Sequence, residues 1–240
     1  MTDTPITSPQ DKQITRFLED AALSAVKAAR EQVPIETKDG AQRVIEGGDQ
    51  LKAAIEAATV KALRELALPF PFPKNANGHS IITVTGLSLT GQEEIARLEA
   101  LGFRVGDYAK SCLLSTRNDS YDRHHRLVQG KLYRLAIVPG REVKRNRTTK
   151  NLGDYAKGFG YGQPLAGFQP RIRETVSDDQ MKEMGIDYIA SLHTPIKDSD
   201  GSPDVLDSDR GGDGRWLHTD WGNPGGEWDD DGAFAFPVPE

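Results

Sequence analysis

Leu132-Tyr-Arg-Leu-Ala-Ile-Val138 is the stretch on which the fold turns. Apolar and β-branched side chains run through it almost without a polar break, the pattern of a strand covered on both faces. Upstream, Ile81-Ile-Thr-Val-Thr85 reads as a second strand by its β-branched content. Between the two, Thr90-Gly-Gln-Glu93 has capping-box spacing and predicts a helix carrying Ile95, Leu98 and Leu101, stopped by Gly102. Tyr108 to Leu114 reads as another short helix with Cys112 on its apolar side. Strand, helices and strand predict a small α/β layer that forms the core.

Toward the N-terminus, alternate prolines in Pro69-Phe-Pro-Phe-Pro73 forbid a helix and predict a stiff, extended boundary segment. Before it, Ser8 and Pro9 open a helix to Gln32, with Ile14, Phe17, Leu18, Ala21, Ala25 and Ala29 on one face. A second helical stretch, Ala41 to Leu68, carries Val44, Ile45, Leu51, Ala54 and Ile55, then Ala58, Ala62, Leu63 and Leu66. Gly47-Gly48 interrupts it, and Asp49 can cap a restart. Two such stripes predict an antiparallel amphipathic pair that buries them.

Toward the C-terminus regularity fades after Arg141. Gly158-Phe-Gly-Tyr-Gly162 reads as a loop, Met181 to Met184 as a short helix and Ile186 to Leu192 as a strand. Two more strand-like pieces, Arg215 to Trp221 and Ala233 to Val238, stand in loops rich in Gly, Asp and Pro. Phe234, Phe236 and Val238 share a face by alternation, and Pro237 and Pro239 place this last strand at or near a sheet edge. The expected class is therefore α+β. It comprises a helical hairpin with a Pro-rich linker (1–73), an α/β core layer (74–150) and a loop-rich β region (151–240).

The composition, 37% hydrophobic and 28% charged over 240 residues, is that of a soluble chain. The polar start lacks a secretory pattern and no run is long enough to span a bilayer, so a cytoplasmic protein without a membrane partner is expected. A single cysteine, Cys112, excludes an intrachain disulfide and a multi-cysteine zinc site. Charge is unevenly spread. Residues 117–150 hold ten Lys/Arg against three Asp/Glu, and residues 198–240 hold twelve Asp/Glu against two Arg.

No catalytic signature emerges. The glycines at 158, 160 and 162 miss the dinucleotide fingerprint, because Gln163 stands where its third glycine belongs and no strand precedes them. His124-His125 lies between Arg123 and Arg126, and adjacent residues of a regular element point apart, so the pair reads as part of the basic stretch. Neither a Gly-x-Ser-x-Gly elbow nor a His-Glu-x-x-His helix is present. With no catalytic residue to assign, the chain reads as a binding protein.

Three candidate sites remain. Asp198, Asp200 and Asp204, with Asp209 nearby, offer oxygens from a turning loop to calcium; the alternative is a turn whose aspartates bond their own backbone. Arg141, Lys144, Arg145, Arg147 and Lys150 form a segment that suits phosphates, and define an alternative reading as a nucleic-acid-associated protein. The isoelectric point near 5.5 favours a basic patch facing acidic surface instead. The most distinctive segment is the last. All three tryptophans, Trp216, Trp221 and Trp228, fall within thirteen residues and alternate with His218, Asp220, Asn223 and Glu227. Rigid aromatics among Asn, Gly and Asp are the chemistry of an adaptable binding surface for a protein or small-molecule ligand.

The ending Arg215-Trp-Leu-His, Trp221-Gly-Asn-Pro and Trp228-Asp-Asp-Asp-Gly-Ala-Phe-Ala-Phe236 resembles the C-terminal variable region of proteins diversified by diversity-generating retroelements. The resemblance spans at most Ile186–Glu240. It implies a C-type-lectin-like scaffold in which Asp, Gly, Asn and His positions vary between fixed Trp and Phe.

Overall fold

A computed structural model describes residues 8–32, 37–55, 59, 70–211, 214–223 and 225–239. The chain divides into two compact units, Met1–Ala67 and Leu68–Glu240.

The described residues of the first unit are helical apart from Thr37 and Gly47. Helix α1 spans Ser8–Gln32 and helix α2 spans Lys38–Glu46. Thr37 caps α2 by accepting the Gly40 N–H, which starts this helix three residues before the expected Ala41. Helix resumes over 48–55 after a break at Gly47, where the glycine pair predicted one. Among the described residues the expected burial is not found. α2 buries none of its residues, and Ile14, Val44, Ile45 (71% exposed) and Leu51 face solvent. An amphipathic stripe encodes which face is apolar, not what lies against it. The positions Ala58, Ala62, Leu63 and Leu66, and the side chains of Phe17, Ala25 and Ala29, lie outside the described residues.

The second unit is built on one mixed, eight-stranded sheet. In chain order its strands are β1 (Ser80–Thr85), β2 (Arg104–Val105), β3 (Leu132–Pro139), β4 (Tyr188–Ala190), β5 (Ile196–Lys197), β6 (Pro203–Gly211), β7 (Gly214–Trp221) and β8 (Ala233–Pro237). Their spatial order is β1-β3-β8-β4-β6-β7-β2, with β5 beside β6. The β8–β4 and β7–β2 pairs are parallel and the others antiparallel. Residues 74–150 and 151–240, set apart by the sequence reading, therefore share a single sheet.

Both faces of this sheet are apolar where β3 and β8 run. Leu135, Ile137, Ala233 and Ala235 belong to one core, with Phe168 and Ile172. Ala136, Val138, Phe234 and Phe236 belong to the other, with Leu152 and Ala156. The first face is covered by α7 (Phe168–Thr175) and α8 (Asp178–Met184), the second by α6 (Thr149–Gly158). A third cluster fills the β6–β7–β2 end beneath α3 (Gly91–Ala100) and α4 (Asp107–Leu113). A single turn, α5 (Tyr121–His124), adds Tyr121 to it. Thr90 opens α3 with the expected reciprocal capping box.

The terminal strand is a correction. β8 lies between β3 and β4, in the middle of the sheet rather than at its edge. Proline is tolerated because β4 pairs only with Ala233 and Phe234, so Pro237 lies beyond the ladder its missing N–H would join. Val238, not Pro237, donates to the Arg134 carbonyl.

α7 buries Phe168 through Glu174, charged residues included. Arg171 lies between Glu94 of α3 and Glu174, and Arg97 Nε donates to Glu174 Oε1 at 2.9 Å. Tyr121 donates to the other oxygen of Glu94 at 3.2 Å. This chain of opposite charges ties α3 to α7 on the first face of the sheet.

Candidate functional site

β6 and β7 form the hairpin that carries most of the aromatic–acidic segment. Trp216, His218 and Asp220 alternate along one face of β7, opposite Asp209, Asp207 and Val205 of β6. Leu217 and Leu206 point the other way, into the third core cluster. The tryptophan–histidine pair is in contact, with ring centroids 4.8 Å apart. Arg104, paired with Trp216 across the short β2, places its guanidinium 5.2 Å from the Trp216 ring.

Beneath this face the carboxylates crowd. Asp207 is 7% exposed and its Oδ1 has no hydrogen-bond partner. Burial, and then the charges of Asp220 and Asp209, push its carboxyl well above the usual range. Asp209 is raised by burial, against the opposing influence of His218. The neighbouring Tyr188 phenol is raised as well, by burial first and then by Asp229, Asp220 and Asp231. Arg104 already supplies a positive charge at the Trp216 end of this face, so the negative potential lies toward Asp207 and Asp220.

The three tryptophans, alike in sequence, occupy three environments. Trp221, at the end of β7, is 62% exposed, and its backbone N–H is bonded to the Asp220 carboxylate at 2.7 Å. Trp216 is half-buried. Trp228 is 6% exposed, donates its indole N–H to Thr149 Oγ1 at 3.0 Å and packs on Phe234. Asn223 turns the chain by accepting the Gly225 N–H, and Glu227 forms a backbone bridge with Thr148. The structure thus brings Trp216, His218 and Asp220 together on one face of β7, turns Trp221 to the other side at the strand's end, and places Trp228 in the core. Arg104, Tyr188, Asp207 and Asp209 complete the face. For Asp207 and Asp209 the available signal was the alternation Asp207, Asp209 against Leu206, Ser208.

No family model matches the chain, and no curated protein or solved structure matches it either.

The other two candidates are dispersed. Arg141 donates to the Gly185 and Met184 carbonyls, and Arg147 to the Trp228 carbonyl at 2.8 Å. Lys150 is paired with Asp154. Lys144 and Arg145 are the members of that set left exposed and outside these contacts. In the acidic loop, Asp198 is buried and its Oδ1 accepts the N–H groups of Asp200 and Ser202 at 2.9 and 2.8 Å. Asp204 is buried near Cys112, and burial followed by the Asp198 charge raises its carboxyl to about 6. Asp200 is exposed. Among the described residues no three His, Cys, Asp or Glu side chains gather to hold a metal ion. No helix among them is long and apolar enough to cross a membrane.

Proposed function

We propose that the protein is a binding protein that takes a cationic segment of a partner at the β7 end of its sheet, with Trp216, His218, Asp220 and Trp221 as contact residues. The observation that carries this reading is the exposed pair at the end of β7, the Trp221 indole and the Asp220 carboxylate, the latter on the face that also holds the buried Asp207 carboxyl. A tryptophan used only for packing is covered, as Trp228 is; an exposed one at a sheet margin offers area for a partner's aliphatic or cationic side chain. The neighbouring carboxylates select positive charge.

Recognition runs through side chains and not through strand addition. β2 covers β7 only at Trp216 and Leu217, but the Trp221 N–H is already taken by Asp220. Inward self-capping of this kind blunts an open edge. The reading needs no calcium: the carboxylate at the head of the 198–204 loop is engaged by its own backbone. The likeness to diversified variable regions adds one expectation, that copies of the gene differ at 216–227 and agree in β3 and β8.

The test is selection from a peptide array graded in Lys/Arg content, using the full chain. Basic peptides should be retained over acidic ones, and Trp221→Ala and Asp220→Asn should each weaken retention by about tenfold, on the order of 1.4 kcal/mol. Equal retention of acidic peptides, or undiminished binding by both variants, contradicts the proposal.

A further inference from the structure

A second site lies far along the sheet from β7, in a cavity of about 430 Å³ beside β1 and the end of β3. Its volume suits a small molecule. Phe70, Phe72, Ile137, Met184 and Ile186 supply an apolar wall, and the two phenylalanine rings meet edge to face at 5.3 Å. Four charged residues reach it: Lys74, Arg141, Glu142 and Glu183.

The polar end of the cavity is held by a relay of side chains. His79 is 1% exposed, with Nδ1 2.7 Å from the Tyr161 hydroxyl and Nε2 2.9 Å from Glu142 Oε2. Asn75 and Asn77 both direct their amide nitrogens at the Tyr161 oxygen, at 2.5 and 3.2 Å. Those amides can only donate, so the Tyr161 hydroxyl gives its proton to His79 Nδ1, and Nε2–H then donates to Glu142. Tyr155 donates to the same Glu142 oxygen at 3.1 Å. Two donors therefore fix one oxygen of Glu142, and the side chain remains 34% exposed at the cavity mouth. Phe159 packs edge-on against His79 and holds the ring in place.

The charges of the lining balance, two cations against two carboxylates, so selection rests on which group still has bonding capacity. Arg141 spends its two terminal nitrogens on the Gly185 and Met184 carbonyls. Lys74 is exposed to solvent. The group with bonding capacity left is the carboxylate of Glu142, whose Oε1 takes no part in these contacts, with Glu183 beside the same cavity. We infer that this cavity binds a small organic ammonium ion, its cationic head on Glu142 and its apolar body between Phe70, Phe72 and Met184. The site shares no residue with the β7 surface and stands or falls independently of it.

The probe is phenethylammonium, compared with 3-phenylpropionate and 3-phenylpropanol, which keep the apolar body and change the head. Binding is followed in the intact chain by the methyl resonances of Met184, Ile137 and Ile186. Phenethylammonium should shift them saturably, and the carboxylate should not. Glu142→Gln keeps an acceptor for His79 and Tyr155, so the fold is retained, while affinity for the ammonium ion should fall by about tenfold or more through loss of a charge-assisted bond. Equal binding of 3-phenylpropionate overturns the inference, as does a Glu142→Gln variant with undiminished affinity or the absence of any saturable shift at millimolar probe.

Discussion

The two faces of the sheet treat buried charge in opposite ways. On the α7 side Arg171 meets Glu94 and Glu174, and Arg97 and Tyr121 extend the chain, so each ionised group there has a counter-charge, while Arg171 Nε and Nη1 and Arg173 Nε have no hydrogen-bond acceptor. On the face behind β7, Asp207 is buried among carboxylates with Oδ1 unbonded. Buried charges that are paired hold elements together, whereas a buried acid without a counter-charge costs stability and marks a candidate for a role outside the fold. The first face reads as structural and the second as the place for a ligand.

That contrast predicts its largest effect at Arg171. Arg171→Met removes the shared cation from two buried carboxylates and should cost about 3–5 kcal/mol, seen as a lowered denaturant midpoint. A loss below about 1 kcal/mol would mean that the clasp contributes little and that pairing does not distinguish the faces.

Acid should reveal a second set of satisfied polar groups. His125 accepts the Ala166 N–H; His193 accepts the Leu206 N–H and donates to the Thr194 carbonyl. Burial lowers the two rings to about 4 and about 3 from 6.5. The unfolded chain therefore takes up protons first. The stability they contribute is complete above pH 6.5 and is lost as pH falls toward those values, by up to about 1.4 kcal/mol per pH unit for each ring. Asp204, raised to about 6 from 3.8, acts in the opposite sense, with stability gained as pH falls from about 6 toward 3.8. Asp207, Asp209 and Glu94, also raised, add to that gain, so the imidazole contribution is read as a difference between variants. Relative to the intact chain, His193→Gln should lose less stability between neutral pH and about pH 5, and an identical pH dependence would show that this imidazole contributes nothing.

Asp207→Asn should do the reverse of Arg171→Met. A carboxyl held above its unfolded value destabilises the native state as pH rises, and the amide cannot ionise. Stability at mildly alkaline pH should rise by on the order of 1 kcal/mol, with little change in acid. A large loss at all pH values would place Asp207 with the structural set.

Local signals explain which parts of this molecule were legible. β1 and β3 are β-branched or continuously apolar, and α3 announces itself with a capping box, so each was readable from a few adjacent residues. β6, Pro203–Gly211, was not, because Asp204, Asp207 and Asp209 make a central strand look like an acidic loop. α7 was hidden by Pro170, which sits at its third residue where no intrahelical N–H bond is lost. The position of β8 depended on how far β4 extends, which its own residues do not state. For the site, the sequence marked Trp216, His218, Asp220 and Trp221 by residue type and put Phe234 and Phe236 on one face, where both are found buried in one cluster. It did not separate Trp228, whose burial rests on Thr149 and Phe234 from distant elements.

The smallest stability effect belongs to the residue with the largest proposed role. Trp221→Ala should change folding free energy by no more than about 0.5 kcal/mol, since its ring is mostly in solvent. The most direct test of the account is therefore a backbone-amide titration of the intact chain with an arginine-rich peptide. Shifts concentrated at residues 216–221, and lost in the Trp221→Ala variant while its melting temperature holds, are the predicted result. Shifts spread over the molecule, or an intact response in that variant, would contradict the assignment of β7 as the recognition surface.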